Sequence, residues 1–276
     1  MERRELLKRV GLGSLIAVAG VGGLYSYPLI FSKAHKSLMI AGSSAVSRFV
    51  SFLVEPFLKQ DPNVDIALEG GDSLTGLVSL VNGGIDIAMM SRGLSFDEYN
   101  PDLVVNLLGF EGVALIVNPN NPVQGLSIEQ VNGILRGQIK NWSELGGLTG
   151  EIQVYGRNES STTRGLIQYF VMKGAAFSSK TKNLESAKQV VDAVAGDRNA
   201  FAYVTAKYLE NRIRGLAIGG VEVSNKSLLL GTYPLRREIF LVTKTPSTAV
   251  TKQFIAFGLG NAGQDILEDR GLTRIN

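Results

Sequence analysis

The sequence predicts an α/β protein built on mainly parallel sheets with helices on both faces, and three observations predict it. Apolar runs of strand length alternate with segments of helical periodicity, and polar, hydroxyl-bearing turns join each strand to the next helix. The third observation is size: 276 residues, 45% hydrophobic and 19% charged with 32 glycines, suit one large or two modest domains, because a single core stops growing at roughly 250 to 300 residues.

The strands and helices follow in order. Ser37–Ala41 reads as a strand, Gly42-Ser43-Ser44 as a turn, and Val46, Phe49, Val50, Leu53 and Phe57 recur at helical spacing. The pattern repeats with a strand over Asp65–Leu68, a turn over Glu69–Ser73 and a helix carrying Leu74, Leu77, Val78 and Val81 that Asn82-Gly83-Gly84 stops. A third strand, Asp86–Met90, runs into Ser91-Arg92-Gly93, and a fourth, Gly112–Val117, ends at Asn118-Pro119. A second unit is expected past Pro122. It comprises a helix opened by the capping box Ser127-Ile128-Glu129-Gln130, a strand over Ile152–Tyr155, and the hydroxyl-rich loop Gly156–Arg164 leading into a helix with Leu166, Ile167 and Phe170. A helix around Ala187–Val194 and a strand at Phe201–Val204 follow, and the chain closes with a strand at Glu238–Val242 and a helix over Thr248–Ala262.

The first 36 residues form a separate object. Arg3, Arg4, Lys8 and Arg9 precede 23 uncharged residues, Val10–Ser32, the pattern of an export signal or a signal anchor. Glu2-Arg3-Arg4-Glu5-Leu6-Leu7-Lys8 resembles a twin-arginine signal. At about 1.5 Å per residue the uncharged run is also long enough to span a bilayer, so release and retention both stay open. The glycines within it lack the acidic partner of a dinucleotide site. Of the 28 basic and 25 acidic residues, six and two lie in this segment, which leaves 22 against 23 and a net charge of −1. The whole-chain pI near 9.0 therefore belongs to the leader and does not point to nucleic acid.

Composition also removes several chemistries. Without cysteine there is no disulfide framework, thiolate metal site, thiol nucleophile or lipid-anchored lipoprotein form. The single histidine, His35, sits at the edge of the leader, so the body lacks the commonest general base and metal ligand. No metal and no cofactor are expected.

Three turns place hydroxyls at helix N-termini: Ser43 and Ser44, Ser73 and Thr75, and Ser161, Thr162 and Thr163. Unpaired N–H groups and the positive end of the helix dipole favour an anion there, and hydroxyls add directional donors. Arg92 and Arg157 supply candidate guanidinium forks. A serine before a helix can equally be a cap alone, and a strand-end arginine a surface charge; recurrence in a lightly charged chain is what favours a ligand.

Gly42-Ser43-Ser44, Asp86–Arg92, and Arg157 followed by Ser160-Ser161-Thr162-Thr163-Arg164 together resemble the phosphate-binding proteins of ABC importers. Asn141–Gly147, Tyr233-Pro234-Leu235-Arg236-Arg237, Phe254–Phe257 and Gly263-Gln264 extend the resemblance over about residues 38–275. It implies a two-lobed type II periplasmic-binding-protein fold, with lobe 1 over residues 37–118, lobe 2 over 119–228 and a return to lobe 1 over 229–276. It also implies an extracytoplasmic monomer that traps phosphate or a similar oxyanion between the lobes and delivers it to a membrane permease. Carried onto this chain, the ligand residues would be Ser43, Ser44, Ser73, Arg92, Arg157, Ser161, Thr162 and Thr163. Thr162 stands where the family usually has glycine, and Asp72-Ser73-Leu74 replaces a Gly-Ser-Gly turn. Asp72 is a candidate acceptor for the proton of a protonated phosphate, or simply the cap of the next helix.

Two other classes compete with this reading. A serine hydrolase lacks its histidine, Gly71-Asp72-Ser73-Leu74-Thr75 is not a nucleophile elbow, and Ser179-Lys180-Thr181-Lys182 has no companion motifs. A membrane-anchored oxyanion-sensing module of the same fold, without transport, is the alternative.

Overall fold

The computed structural model describes residues 36–275. The leader expected over residues 1–36 lies, up to His35, outside the described residues. The chain runs through β1 (Lys36–Ser43), α1 (Ser44–Gln60), β2 (Val64–Gly71), α2 (Ser73–Val81), β3 (Ile87–Met90), the long β4 (Leu103–Val117), β5 (Gly125–Leu126) and α3 (Ile128–Leu135). It continues with β6 (Gln153–Arg157), α4 (Thr162–Ile167), β7 (Lys182–Leu184), α5 (Ala187–Gly196), β8 (Ala200–Thr205), β9 (Arg214–Gly215) and β10 (Ala217–Ile218). The last elements are α6 (Asn225–Leu229), β11 (Arg236–Lys244), α7 (Ala249–Leu259) and α8 (Asn261–Asp269).

The strands of the two lobes join through β4, and β5 and β10 form a separate two-stranded parallel sheet. In lobe 1 the order is β2-β1-β3-β11-β4, with β1 parallel to β2 and β3 and with β11 antiparallel to β3 and β4. In lobe 2, β7, β6 and β8 are parallel, and β8 runs antiparallel to the second half of β4. β3, β8 and the second half of β4 are buried on both faces, so their sequences read as continuous apolar runs. Alternation then divides each strand between two cores. Along β3, Ile87 and Met89 face Phe49, Leu53 and Phe254 of α1 and α7, while Ala88 and Met90 face Leu77 and Leu80 of α2. Along β8, Phe201 and Tyr203 join Trp142, Ile134 and Ile167, while Ala200, Ala202 and Val204 join Val190, Val191 and Val194 of α5.

The change of lobe happens inside strands. β4 pairs with β11 as far as Gly112 and with β8 from Val113 onward. The return comes at Leu235, whose carbonyl accepts the Val113 N–H at 2.9 Å, just before β11 begins at Arg236. The expected boundaries at 118/119 and 228/229 therefore fall within lobe 2: Asn118-Pro119 is one of its loops, and Leu228, Tyr233 and Leu235 pack in its core. Strand pairing continues across the change of lobe, so no turn residue marks it. The first half of β4 was not expected as a strand. The expected terminal helix is two, because Gly260 takes an extended conformation between α7 and α8 (φ −76°, ψ 165°).

Candidate functional site

The C-terminal ends of β1, β2, β3 and β6 meet at one cleft of about 830 Å³. From lobe 1 come Ser43 and Ser44 at the start of α1, Asp72 and Ser73 at the start of α2, and Ser91 and Arg92 after β3. From lobe 2 come Ser160, Ser161 and Thr162 at the start of α4, with Tyr169 and Phe170 from the turn that follows it. Arg236, Arg237 and Glu238 reach the same cleft from the start of β11.

The first turn depends on close backbone packing. Gly42 has φ +131°, and a side chain there would strike the Met89 carbonyl of β3. Gly76 of α2 lies so near that its Cβ would sit 2.6 Å from the Gly42 Cα. Two glycines thus let β1, β3 and α2 converge and bring Ser43 and Ser73 to the same face.

The hydroxyls differ in what already occupies them. Ser43 is buried at the N-cap position of α1 but makes no side-chain cap hydrogen bond. Ser44 donates to the Gly71 carbonyl at 3.2 Å, tying the first turn to the end of β2. Ser73 accepts from the Ser91 N–H and lies 3.3 Å from the Ser91 hydroxyl. Ser161 caps α4 by accepting from the Arg164 N–H at 3.3 Å. Asp72 accepts from the Leu74 N–H at 2.8 Å, so its carboxylate caps α2 while also lining the cleft.

Two residues expected at the ligand do not line the cleft. Arg157 donates from Nε to the Leu184 carbonyl and from Nη2 to the Glu185 carbonyl, at 3.2 and 2.8 Å, which turns it toward the β6–β7 edge of lobe 2. Thr163 is buried with its hydroxyl 3.2 Å from that of Thr205. Thr163 follows Thr162 in the first turn of α4 but faces β8, and Arg157 is held along β7 by the two carbonyl groups. Arg92 does reach the cleft, but its two Nη atoms grip Glu98 at 2.6 Å each. That pair raises the Arg92 guanidinium further, with the field of Asp72 adding to it, and holds the Glu98 carboxyl at about 2. Among the described residues no group of acidic or histidine side chains is arranged to hold a metal ion.

Comparison with known proteins places this architecture. Residues 31–261 match the PBP superfamily domain. The phosphate-binding protein PstS of Bacillus subtilis (strain 168) is 31% identical over 229 residues, covering 82% of this chain and 76% of that protein. The chain belongs to the PstS family of the PBP superfamily. Among solved structures, an ABC-type phosphate transport receptor from Vibrio cholerae is similar at a TM-score of 0.77 and 27% identity, covering 86% of this chain and 99% of the receptor. A putative phosphate ABC transporter substrate-binding protein from Clostridium perfringens, solved with bound phosphate, is similar at a TM-score of 0.61 and 30% identity, covering 87% of this chain and all of that one. The two-lobed α/β fold of the PstS family is thus the fold of this chain, and the family is one of solute-binding proteins.

Within this PstS-family cleft, the polar and aromatic residues that sequence reasoning left out of the site are Ser91, Glu159, Ser160, Tyr169, Phe170, Arg236, Arg237 and Glu238. The C-terminal ends of parallel strands are where ligands of open α/β sheets gather, whereas β11 is antiparallel and brings its N-terminal end to that edge. Two adjacent arginines in a chain with few charges were the available signal.

Proposed function

We propose that this protein binds phosphate in the cleft between its lobes, on the extracytoplasmic side of a membrane, and delivers it to an ABC permease. The observation that carries the reading is the convergence of hydroxyl-bearing turns from both lobes on one cleft, in a chain of the PstS family. Ser43, Ser44 and Ser73 from lobe 1 and Ser161 and Thr162 from lobe 2 are the proposed oxyanion donors, with Asp72 as the acceptor for a phosphate proton. A tetrahedral oxyanion takes hydrogen bonds on several sides, so contacts from two lobes hold it better than either alone. Only contacts that differ between open and closed states shift the population, so donors on both jaws couple binding to closure. The cleft carries no histidine or cysteine and is read as a binding site without a reaction. The protein is read as working alone, as a monomer.

Micromolar binding needs roughly 8 kcal/mol net, and each charge-assisted hydrogen bond contributes about 1.5 to 3 kcal/mol, so several donors must act together. A thermal-shift panel of phosphate, sulfate, molybdate and arsenate tests the reading, because a ligand of the native state alone raises its apparent stability. Phosphate and arsenate are expected to raise Tm more than sulfate. No shift with phosphate at millimolar concentration sinks the proposal.

A further inference from the structure

We propose that Arg237, clamped by Glu111, is an anion-binding guanidinium at the floor of the cleft and sets a preference for doubly ionised over singly ionised oxyanions. This rests on the oxyanion reading above.

The register of the sheet places Arg237 opposite Glu111 on neighbouring strands, beside the point where β4 passes from one lobe to the other. The Glu111 carboxylate has no solvent exposure. One of its oxygens accepts from Nη2 of Arg48, on the first turns of α1, and the other from Nη2 of Arg237. One carboxylate shared by two guanidinium groups leaves one positive charge in excess, fixed one helical turn from Ser44. Burial of Glu111 and Arg237 limits screening of that charge by water, although Arg48 is a third exposed. Of the carboxylates that also line the cleft, Glu238 is paired with Arg236, while Asp72 and Glu159 oppose the excess.

Arg237 also has donors left over. Its side chain is only 10% exposed, it lines the cleft, and its Nε is buried with no hydrogen-bond partner. A buried donor without an acceptor carries its full desolvation cost, so a shift of Arg237 that turns this edge of its guanidinium toward an oxyanion in the cleft would relieve it. The other arginines near the cleft are committed. Arg92 is forked onto Glu98, Arg157 serves two carbonyl groups of lobe 2, and Arg236 is held by the Leu228 carbonyl and by Glu238 at 2.6 Å. Hydroxyls recognise the shape of an oxyanion but are neutral, so they distinguish its charge states weakly. The excess charge at Arg48, Glu111 and Arg237 rewards a second negative charge on the ligand.

The test is calorimetry of the full chain with orthophosphate, below and above the second ionisation of phosphate. The wild-type protein is expected to bind more tightly above it. Arg237→Lys keeps a cation for Glu111 but loses the planar fork, and should weaken binding at least about tenfold. The pair Arg237→Gln with Glu111→Gln leaves no orphaned carboxylate, so it guards against a single variant that fails to fold, and should lose most of the gain on second ionisation. Folded variants that bind within threefold of wild type, with its pH dependence intact, overturn the proposal and leave phosphate binding standing. A wild-type protein that binds phosphate at neither pH removes the reading on which the proposal rests.

Discussion

At the residue scale, a serine's position does not tell its task, but its hydrogen bonds do. Ser43 and Ser161 occupy N-cap positions of α1 and α4, yet only Ser161 caps. Ser161→Ala should therefore cost about 1 kcal/mol of stability through the lost cap, measurable as a lower urea midpoint. Ser43→Ala should leave that midpoint nearly unchanged while phosphate affinity in calorimetry falls. Glu98 gives a pH prediction. Arg92 depresses its pKa from 4.5 to about 2 in the folded protein, so the pair stabilises fully above the unfolded value and is lost as pH falls through the window between them. Arg92 is 44% exposed, so solvent limits the contribution to about 1 kcal/mol or less. Acid unfolding curves of wild type and Glu98→Gln should converge toward the acid end of that window and separate above it. The hydroxyl turns were legible because Ser and Thr before an apolar helical period announce an N-terminus. The fate of Arg157 was not, because a long side chain at the end of β6 can turn either into the cleft or along β7, and local sequence does not choose.

At the element scale, the site is a consequence of close approach. Gly76 lets α2 settle against β1 and so sets where Ser73 lies relative to Ser43. Gly76→Ala places a methyl group against backbone that cannot yield easily, and overpacking of this kind typically costs about 1 to 3 kcal/mol. We expect a lower Tm together with weaker phosphate binding, since the two turns would be pushed apart; a drop in Tm without change in affinity would separate the packing from the site. The parallel strands and their helices could be read directly from apolar runs and caps. The first half of β4 could not, because Val104 and Val105 are exposed and Asn106 breaks the apolar run. The short β5, β9 and β10, of two residues each, carry no period at all. The break at Gly260 was hidden because apolar spacing continues on both sides of it.

At the scale of the whole molecule, two lobes with donors on facing jaws should contract when an anion bridges them. Small-angle scattering with saturating phosphate is expected to give a smaller radius of gyration than without it, and an unchanged radius would argue that binding does not require closure. The stabilisation should follow mass action, reaching about 2.7 kcal/mol at a ligand concentration one hundred times Kd. The lobe boundaries were illegible because Gly112, at the change within β4, sits inside a continuous strand, and Pro234, before the return at Leu235, lies next to one; neither interrupts an apolar run in the way a loop between domains does.

The 15-residue β4 has a further effect on how the protein comes apart. Its first half gives Leu108 to the lobe 1 core and its second half gives Val113, Leu115 and Val117 to the lobe 2 core, so one core cannot lose its order without pulling on a rib that the other needs. Heating should therefore melt both halves in a single calorimetric peak, and a chain cut in the 118–122 loop should still melt as one unit because the shared rib remains whole.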